Sequence, residues 1–369
     1  MIKLMFFMQS LGGGGAERTI INLLNKIDKN KFLITLVIGD LSNNAYKDFL
    51  SNDIKVIDLK TNRARYSFVG LRRMIKNEQP DIVFTTINSN NLLLSLVKLS
   101  FFSKRFSLIV REASYRSESK KVSSFNRMAT KYCYNIVADG IIALSKGVKE
   151  DLVNWFGVES NKITVIYNPV DYKQINEMSQ EDLYEIDIRR NEFTILSVGR
   201  LVEAKDYPTL LKAFEIFRSR HDAKLLIAGE GELMTSLESL VESLNLKDSV
   251  QMIGFVENPY KYMYNSNLFV LSSKYEGFGH VIVEAMASGV PVIATNCKSG
   301  PSEIITDKYN GRLVEVGNYI QLADTMEDVL MNEDYNLVNN ASKRVLDFDA
   351  DKITREYENY FEKFHNPST

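Results

Sequence analysis

Two carboxylates, Glu276 and Glu284, lie eight positions apart in the last third of the 369-residue chain. Gly277 and Gly279 stand between them, and a helix is predicted to begin directly after the second glycine. A glycine-broken loop before a helix turns backbone N–H groups and the positive end of the helix dipole toward an anion. Glu284, in the second turn of that helix, can then bind hydroxyl groups, while Glu276 stays on the loop. An anion site beside hydroxyl ligands predicts a site for a nucleotide sugar.

Two cations follow the strand that is predicted at residues 193–199. Arg200 and Lys205 leave the same strand end, in the run Gly-Arg-Leu-Val-Glu-Ala-Lys-Asp (residues 199–206). From there they can clamp a diphosphate and stabilise it as a leaving group. Two solvated surface cations are the simpler interpretation of this run taken alone. Beside Glu276 and Glu284, the diphosphate clamp is the preferred one.

Four consecutive glycines, residues 12–15, stand between the first predicted strand and the first predicted helix. Glycine lets the backbone approach a ligand closely, and a helix N-terminus suits a phosphate. A dinucleotide-binding fingerprint needs a third glycine at the sixth place of G-x-G-x-x-G, where this chain has Glu17 or Arg18. NAD binding is therefore disfavoured, and a flexible tight turn is the alternative that involves no ligand.

Short apolar strands alternate with helical patterns along the whole chain, which is the signature of parallel α/β units. The pattern breaks at residues 168–171 and restarts at residue 193, after a polar, acidic stretch. We predict an α/β protein with two doubly wound, Rossmann-like domains at residues 1–171 and 172–350. Two helices are predicted to close the chain, and the last one, residues 351–366, is expected to pack back on the first domain. Ligands of such domains bind at the carboxyl ends of the strands, so the site is expected in a cleft between the two domains.

Composition and charge restrict the function classes further. Cys133 and Cys297 have no metal-like spacing, and the three histidines argue against a His-based metal cluster. Residues 1–170 carry 25 Lys and Arg against 14 Asp and Glu, whereas the remainder carries 20 against 33. A basic first half predicts an anionic partner on that side. The sequence has neither a signal peptide nor an apolar run of membrane-spanning length, so we expect a cytoplasmic protein.

Taken jointly, these motifs resemble those of the retaining GT-B glycosyltransferases of glycosyltransferase family 4. The resemblance covers nearly the whole chain, from residues 12–18 through 199–205 to 276–303, and the E-x7-E pattern of the family is intact at Glu276 and Glu284. It implies two Rossmann-like domains that face each other across a cleft. It also implies a nucleotide sugar as co-substrate, with no metal ion and no other cofactor.

The resemblance also implies a role for each residue of the site. Arg200 and Lys205 hold the donor diphosphate and Glu276 contacts the donor sugar, so these three are the predicted catalytic residues. Glu284 binds the ribose hydroxyls. The other predicted donor-binding residues are Gly14 and Gly15 of the first domain, Phe255 beside the base, and Phe278, Gly279 and His280, whose backbone lines the sugar.

The chain departs from the family pattern at the general base. Many family members have a histidine at a strand end of the first domain, and residues 1–170 contain none. Arg111 and Glu112, at one such strand end, are the predicted acceptor-binding residues, and pairing of the two side chains with each other is the alternative. A D-x-D pattern at residues 347–351 is expected to cap the terminal helix rather than to bind a metal ion.

The predicted acceptor side combines basic residues with apolar and aromatic ones. Residues 92–102 form an apolar run around Lys98. A group of cations follows, interleaved with aromatic residues: Lys104, Arg105, Tyr115, Arg116, Lys120, Lys121, Phe125, Arg127, Lys131 and Tyr132. Such a surface suits docking on an anionic membrane, at about 1 kcal/mol for each cation near the lipid. It also suits a polyprenyl-diphosphate-linked saccharide as acceptor. A core helix at residues 92–102 is the alternative, and no motif supports nucleic-acid binding.

The resemblance therefore implies a retaining, metal-independent glycosyltransferase. We expect it to move a hexose or N-acetylhexosamine from a UDP-linked donor to a saccharide acceptor in a lipid-linked precursor of a surface glycan, such as a lipopolysaccharide or a capsule. We expect a peripheral protein on the inner face of the cytoplasmic membrane. Two alternatives stay open: a nucleotide-sugar epimerase of the same fold, and a non-catalytic subunit that resembles a glycosyltransferase.

Overall fold

The computed structural model describes residues 1–12, 15–42, 49–101, 106–118, 122–184, 192–332 and 335–365. The chain divides into two compact units. The first unit comprises Met1–Pro169 together with Ala350–Thr369, and the second comprises Val170–Asp349. The last helix of the chain therefore belongs to the unit that begins the chain.

The first unit is a parallel sheet with helices packed on it. Its strands are β1 (Ile2–Met8), β2 (Phe32–Ile38), β3 (Lys55–Asp58), β4 (Ile82–Thr86), β5 (Ser107–Glu112), β6 (Gly140–Ala143) and β7 (Ile163–Val165). Its helices are α1 (Gly15–Lys26), α2 (Phe68–Glu78), α3 (Asn88–Leu99), α4 (Ser124–Tyr132), α5 (Lys146–Asn154) and, from the end of the chain, α14 (Ala350–Glu362). Within the described residues the strand order is β3-β2-β1-β4-β5-β6-β7. That order, with β1 between β2 and β4, is the doubly wound Rossmann-like arrangement.

Aromatic side chains from distant parts of the sequence form the core of the first unit. Phe6 of β1, Phe84 of β4 and Phe361 of α14 lie with their ring centroids 5.0–6.2 Å apart. Tyr357 and Tyr360 of α14 are buried in the same cluster. The apolar face of α14 therefore completes a core that the first strands begin.

The second unit repeats the architecture with six parallel strands in its described residues. The strands are β8 (Phe193–Val198), β9 (Ala223–Ala228), β10 (Val250–Gly254), β11 (Leu268–Leu271), β12 (Val292–Thr295) and β13 (Arg312–Val314). The helices are α6 (Tyr172–Ser179), α7 (Tyr207–Arg220), α8 (Met234–Ser243), α9 (Tyr260–Tyr264), α10 (His280–Ala287), α11 (Pro301–Ile304), α12 (Tyr319–Asn332) and α13 (Tyr335–Val345). The strand order is β10-β9-β8-β11-β12-β13. The order reverses between β8 and β11, so these neighbours form the switch point where ligands of open α/β sheets bind.

The predicted pair of doubly wound parallel-sheet domains is confirmed, with two differences in detail. The sequence pattern does not predict β13, because a run of three residues is too short to show a periodic signal. Three helices rather than two follow β13, since α12 and α13 precede α14 as separate elements. No helix in the described part of the chain is long and apolar enough to span a bilayer.

Candidate active site

Two loops meet at the carboxyl ends of the neighbouring strands β8 and β11. We call them the β8 loop (residues 199–206) and the β11 loop (residues 272–279). The Oγ of Ser272 donates a hydrogen bond of 2.8 Å to the carbonyl of Lys205, and the backbone N–H of Lys274 donates one of the same length to the carbonyl of Ala204. These bonds join residues about 70 positions apart in sequence. They hold the two loops together as one surface, which we call the floor of the site.

Lys205 and Glu276, which the sequence places on different loops, form an ion pair on this floor. The Nζ of Lys205 lies 2.5 Å from Oε1 of Glu276, and the Oγ of Ser273 donates a hydrogen bond of 2.6 Å to the same oxygen. Both charged side chains are mostly buried. A pair that is shielded from water is held more firmly than a surface pair. The ammonium of Lys205 is therefore fixed in position.

Arg200 shares the β8 loop with Lys205 but is exposed, and it makes no side-chain hydrogen bond or ion pair with any residue that the structure describes. The loop that carries both cations is closely packed. The phenol of Tyr207 donates a hydrogen bond of 2.9 Å to the carbonyl of Gly199, and a Cβ added at Gly199 would lie 3.2 Å from Cε of Lys205. The arrangement offers one fixed and one available cation at a strand end.

The β11 loop ends at Gly279, which has a φ of 86° and immediately precedes the first residue of α10, His280. Only glycine adopts that backbone region readily, so it is suited to this abrupt entry into a helix. A hydrogen bond from a neighbouring segment stabilises this loop: the Oγ of Ser299 donates a bond of 2.7 Å to the carbonyl of Gly277. Gly300, with a φ of 92°, packs directly against the carbonyl of Phe278. The N-terminus of α10 is thereby held toward the same edge of the sheet as the two cations.

Glu284 lies in the second turn of α10, and its side chain is buried. The phenol of Tyr260 donates a hydrogen bond of 3.3 Å to its Oε1, and Nε2 of His280 lies 3.6 Å from the same oxygen. Hydrogen-bonded carboxylates at a helix start can accept bonds from ligand hydroxyls. The site thus contains a carboxylate on each side of the glycine-broken turn, as the spacing predicts.

The side chains of Phe278 and Phe255 are placed differently. Phe278 is buried and packs edge-on against Phe348, with ring centroids 5.3 Å apart, so only its backbone can face a ligand. Phe255 follows β10 directly after Gly254, which has a φ of 70°, and its side chain is exposed. An exposed aromatic ring at a strand end is available to stack on a planar group.

Sequence reasoning missed three side chains that shape this site: Ser273, Tyr207 and Cys297. Ser273 lies two residues after the apolar strand β11, and that position is the one signal that could have drawn attention to it. Burial raises the pKa of the Cys297 thiol to about 12, and the nearby negative charge of Glu276 acts in the same direction. A thiol that stays protonated is a poor nucleophile. Cys297 is therefore a packing residue.

Of the two glycines of the first unit that are predicted to bind the donor, the structure describes Gly15, the first residue of α1. The Oγ1 of Thr19 donates a hydrogen bond of 2.8 Å to its carbonyl, and a Cβ added at Gly15 would meet no atom within 4 Å. Packing inside the chain therefore does not explain why glycine stands there. Gly14 lies outside the described residues.

Arg111 and Glu112 end β5, but their side chains point to opposite sides, as neighbours in a strand do. Arg111 donates a hydrogen bond of 2.9 Å to the phenol of Tyr357. Nη1 of Arg116 lies 3.2 Å from Oε2 of Glu112, and the phenol of Tyr134 donates a bond of 3.0 Å to the same oxygen. The alternative that Arg111 and Glu112 pair with each other is therefore wrong.

Burial also bears on the predicted acceptor role of these two residues. Arg111 is 0% exposed and Glu112 is 1% exposed, so neither side chain reaches the surface of the described structure. Burial raises the pKa of the Glu112 carboxyl above its ordinary value, although the Arg116 guanidinium acts in the opposite direction. We therefore treat both as residues that position their neighbours, not as ligands of an acceptor.

The D-x-D pattern near the end of the chain does not form a compact acidic cluster. Asp347 accepts a hydrogen bond of 2.6 Å from Arg344, and Asp349 immediately precedes α14. Across the described ranges, no group of three or more His, Cys, Asp or Glu side chains is arranged to hold a metal ion.

Comparisons with known proteins agree with this geometry. Residues 179–345 match the family model of glycosyl transferases group 1, and residues 13–174 match that of glycosyltransferase family 4. A relative from Campylobacter jejuni is 32% identical over 96% of this chain and 98% of its own length. It is an N-acetylgalactosamine-N,N'-diacetylbacillosaminyl-diphospho-undecaprenol 4-alpha-N-acetylgalactosaminyltransferase.

Two further proteins are similar over almost their whole length. A GalNAc-alpha-(1->4)-GalNAc-alpha-(1->3)-diNAcBac-PP-undecaprenol alpha-1,4-N-acetyl-D-galactosaminyltransferase, also from C. jejuni, is 27% identical over 97% of both chains. The crystal structure of Anabaena Alr3699/HepE in complex with UDP superimposes with a TM-score of 0.82 at 19% identity, and the match covers 98% of this chain and 100% of that chain. At that identity the structural likeness establishes the fold.

Proposed function

Because this chain belongs to the GT-B glycosyltransferases, we propose that it transfers a hexose or N-acetylhexosamine from a UDP-linked donor, with retention of configuration. The acceptor is a saccharide on a polyprenyl diphosphate, a lipid-linked precursor of a surface glycan. The reaction uses no metal ion and no cofactor besides the nucleotide sugar.

The observation that carries this proposal is the placement of three charges on the floor formed by the β8 and β11 loops. Arg200 is free to bind, whereas Lys205 is held by Glu276 at 2.5 Å. Two cations at the switch point neutralise the charge that grows on a departing diphosphate. Because Lys205 is already fixed, it needs no reorganisation when the bond breaks.

The other residues orient the donor. Glu284 accepts hydrogen bonds from the ribose hydroxyls, and the exposed ring of Phe255 stacks on the base. Glu276 and the backbone of Gly279 and His280 contact the sugar at the N-terminus of α10. Gly15, which no packing inside the chain requires, leaves room for the backbone to approach the phosphates.

The proposed step balances without a histidine base. The bond between the anomeric carbon and the diphosphate oxygen breaks, and the acceptor oxygen bonds to that carbon on the same face of the sugar. The proton of the acceptor hydroxyl moves to the departing diphosphate. This route agrees with the absence of histidine from residues 1–170.

The proposed acceptor is supported by the relatives. The names of both C. jejuni transferases describe alpha-linked transfer of N-acetylgalactosamine to a saccharide on undecaprenyl diphosphate. The excess of cations in residues 1–170 suits such a diphosphate-linked acceptor. We therefore place the protein at the cytoplasmic face of the membrane, where it acts as a peripheral enzyme.

A hydrolysis screen of the purified protein against a panel of nucleotide sugars tests the donor, because slow donor cleavage requires no knowledge of the acceptor. Addition of an undecaprenyl-diphosphate-linked saccharide should convert hydrolysis into transfer, and the coupling of the anomeric proton in the product reports retention or inversion. Titration with UDP separates the alternatives. A chain that does not bind UDP is a non-catalytic subunit, and one that binds it but interconverts free nucleotide sugars without an acceptor is an epimerase.

A further inference from the structure

Helix α4 and the π-helical turn that continues it, Cys133–Val137, present an apolar face to solvent. Phe125, Met128, Tyr132 and Ile136 are 81%, 71%, 52% and 68% exposed. They recur every three or four residues, so they lie on one side of the helix. We call these four residues the α4 face. A surface helix ordinarily turns its apolar stripe to the core, and α4 does the opposite.

Polar contacts on the inner side of α4 fix this orientation. The guanidinium of Arg116 donates hydrogen bonds to the Oγ1 of Thr130, at 3.3 Å from Nη1, and to the Oδ1 of Asn126. Asn88, at the start of α3, donates a bond of 3.2 Å to Thr130 and accepts one of 3.2 Å from Asn126.

Arg116 is in turn held by two further groups. It bonds to the buried Glu112, and its guanidinium lies 4.2 Å from the ring centroid of Phe156. Because these inner contacts would be lost if the helix rolled about its axis, the α4 face stays outward.

The charges on the helical run that carries the α4 face have one sign. Exposed Arg127 and Lys131 lie on the same helix, and the run from Ser124 to Val137 contains no Asp or Glu. The Arg127 guanidinium lies 5.1 Å from the ring centroid of Trp155, the only tryptophan of the chain. Apolar and aromatic side chains beside cations are the composition of a helix that lies in the interface of an anionic bilayer.

We propose that the α4 face inserts into the interface of a bilayer that contains anionic lipids. The insertion proposal rests on the proposed function only because a lipid-linked acceptor would be located in the membrane. Insertion goes beyond attraction by cations, because the four apolar side chains leave water. A second copy of the chain is the weaker candidate for this surface, since a symmetric contact would bring Arg127 and Lys131 of both copies together.

A tryptophan placed on the α4 face tests insertion directly. The probe is Met128→Trp combined with Trp155→Phe in the full chain, and its matched control is Met331→Trp in the same background. Met128 and Met331 are equally exposed, at 71% and 70%, and Met331 lies in the second unit. Vesicles of phosphatidylglycerol and phosphatidylcholine carry bromine on the upper acyl chain, which quenches tryptophan only where the side chain enters the lipid.

The proposal expects loss of emission from the tryptophan at position 128 and unchanged emission at position 331. Equal emission with and without bromine at both positions, under conditions where the protein co-sediments with the vesicles, would overturn insertion. Failure to co-sediment at all would overturn it as well.

Substitution of the face is the second measurement. Phe125→Ser, Met128→Ser and Ile136→Ser together should weaken vesicle binding at least about tenfold, because the transfer free energy of three apolar side chains is lost. The control triple, Ile320→Ser, Met331→Ser and Leu346→Ser, removes exposed apolar residues of the second unit and should leave binding unchanged. Replacing Arg127 and Lys131 by alanine should weaken binding about fivefold for each cation.

Two outcomes would contradict the proposal. If the charge variants abolish binding and the serine triple does not, the surface binds by charge alone. If the serine triple changes a dimer into a monomer and leaves vesicle binding intact, the α4 face is a contact between copies. Vesicle binding is measured without nucleotide sugar, and donor hydrolysis is measured without vesicles, so failure of this proposal is distinguishable from failure of the proposed function.

Discussion

The ammonium of Lys205 and the carboxylate of Glu276 lie 2.5 Å apart although 71 positions separate them in sequence. Ser273 donates a second hydrogen bond to the same carboxylate oxygen, and a backbone hydrogen bond joins Lys274 to Ala204. The ion pair therefore joins the β8 loop to the β11 loop, and each charged side chain limits the movement of the other. We therefore expect a substitution on one loop to affect the position of the side chains on the other loop.

Lys205→Ala should lower turnover about 10²- to 10³-fold, as expected when one fixed group that stabilises developing charge is removed. The stability of the fold should change little by comparison. Steady-state donor hydrolysis measures the effect, with thermal unfolding as a check. Lys274→Ala is the matched control, because Lys274 lies on the same floor but is only loosely paired, at 3.8 Å from Asp206. Equal losses in both variants would contradict a specific role for Lys205.

Glu284→Ala should weaken donor binding about 10- to 100-fold, which corresponds to about 1.5–3 kcal/mol for hydrogen bonds to a charged group. Calorimetric titration with UDP measures the dissociation constant. Tyr260→Phe is the control, since it removes the 3.3 Å bond to the same carboxylate while the carboxylate itself remains. An unchanged dissociation constant in Glu284→Ala would remove the residue from the binding site.

Gly300→Ala should destabilise the second unit and also weaken UDP binding. Its φ of 92° disfavours any side chain, and the added Cβ would overlap the carbonyl of Phe278 in the β11 loop. Gly317→Ala is matched in backbone, with a φ of 77°, but its Cβ meets open space. That control should lose only about 1–2 kcal/mol of unfolding free energy and retain UDP binding. Urea unfolding and UDP titration of both variants make the comparison.

Glu112 should make stability depend on pH. Because the folded state raises the pKa of this carboxyl, the folded state binds the proton more tightly than the unfolded chain does. Its stabilising contribution is therefore complete below the unfolded pKa of about 4.3 and is lost as pH rises through the raised folded pKa. Relative to Glu112→Gln, the wild-type chain should lose stability as pH rises above the unfolded pKa.

The measurement is the urea midpoint of both chains across that range. Glu78→Gln removes a half-buried carboxylate that pairs with Lys55 at 2.6 Å, and it serves as the control for a change in net charge. A wild-type chain that gains stability with rising pH relative to Glu112→Gln would contradict the assignment.

Local signals in the sequence were sufficient to predict those parts of the site that lie on one continuous segment. The spacing of Glu276 and Glu284 around Gly279 predicts a glycine-broken loop followed by a helix start, in the right order. Arg200 and Lys205 follow an apolar strand and therefore emerge at a strand end. Lys205 meets Glu276 because β8 and β11 are neighbours in the sheet, which a doubly wound arrangement provides.

Contacts between distant segments were not accessible from the sequence. Arg111 donates a hydrogen bond to Tyr357, a residue 246 positions away on the terminal helix. No local sequence pattern predicts that partner. Glu112 pairs with Arg116 because the alternation of side chains along β5 separates it from Arg111. For α4 the sequence predicts a docking surface that includes Phe125 and Tyr132, but the period of the apolar residues is the same whichever side faces the core. Only the polar contacts of Asn126 and Thr130 decide between the two.

The position of α14 has a consequence for how the protein is made. The ribosome completes residues 1–169 well before Tyr357, Tyr360 and Phe361, which fill their core, emerge. The nascent first unit therefore exposes Phe6 and Phe84 while the uninterrupted second unit can already fold. A premature stop just before α14 would thus unfold residues 1–169 and leave the second unit intact.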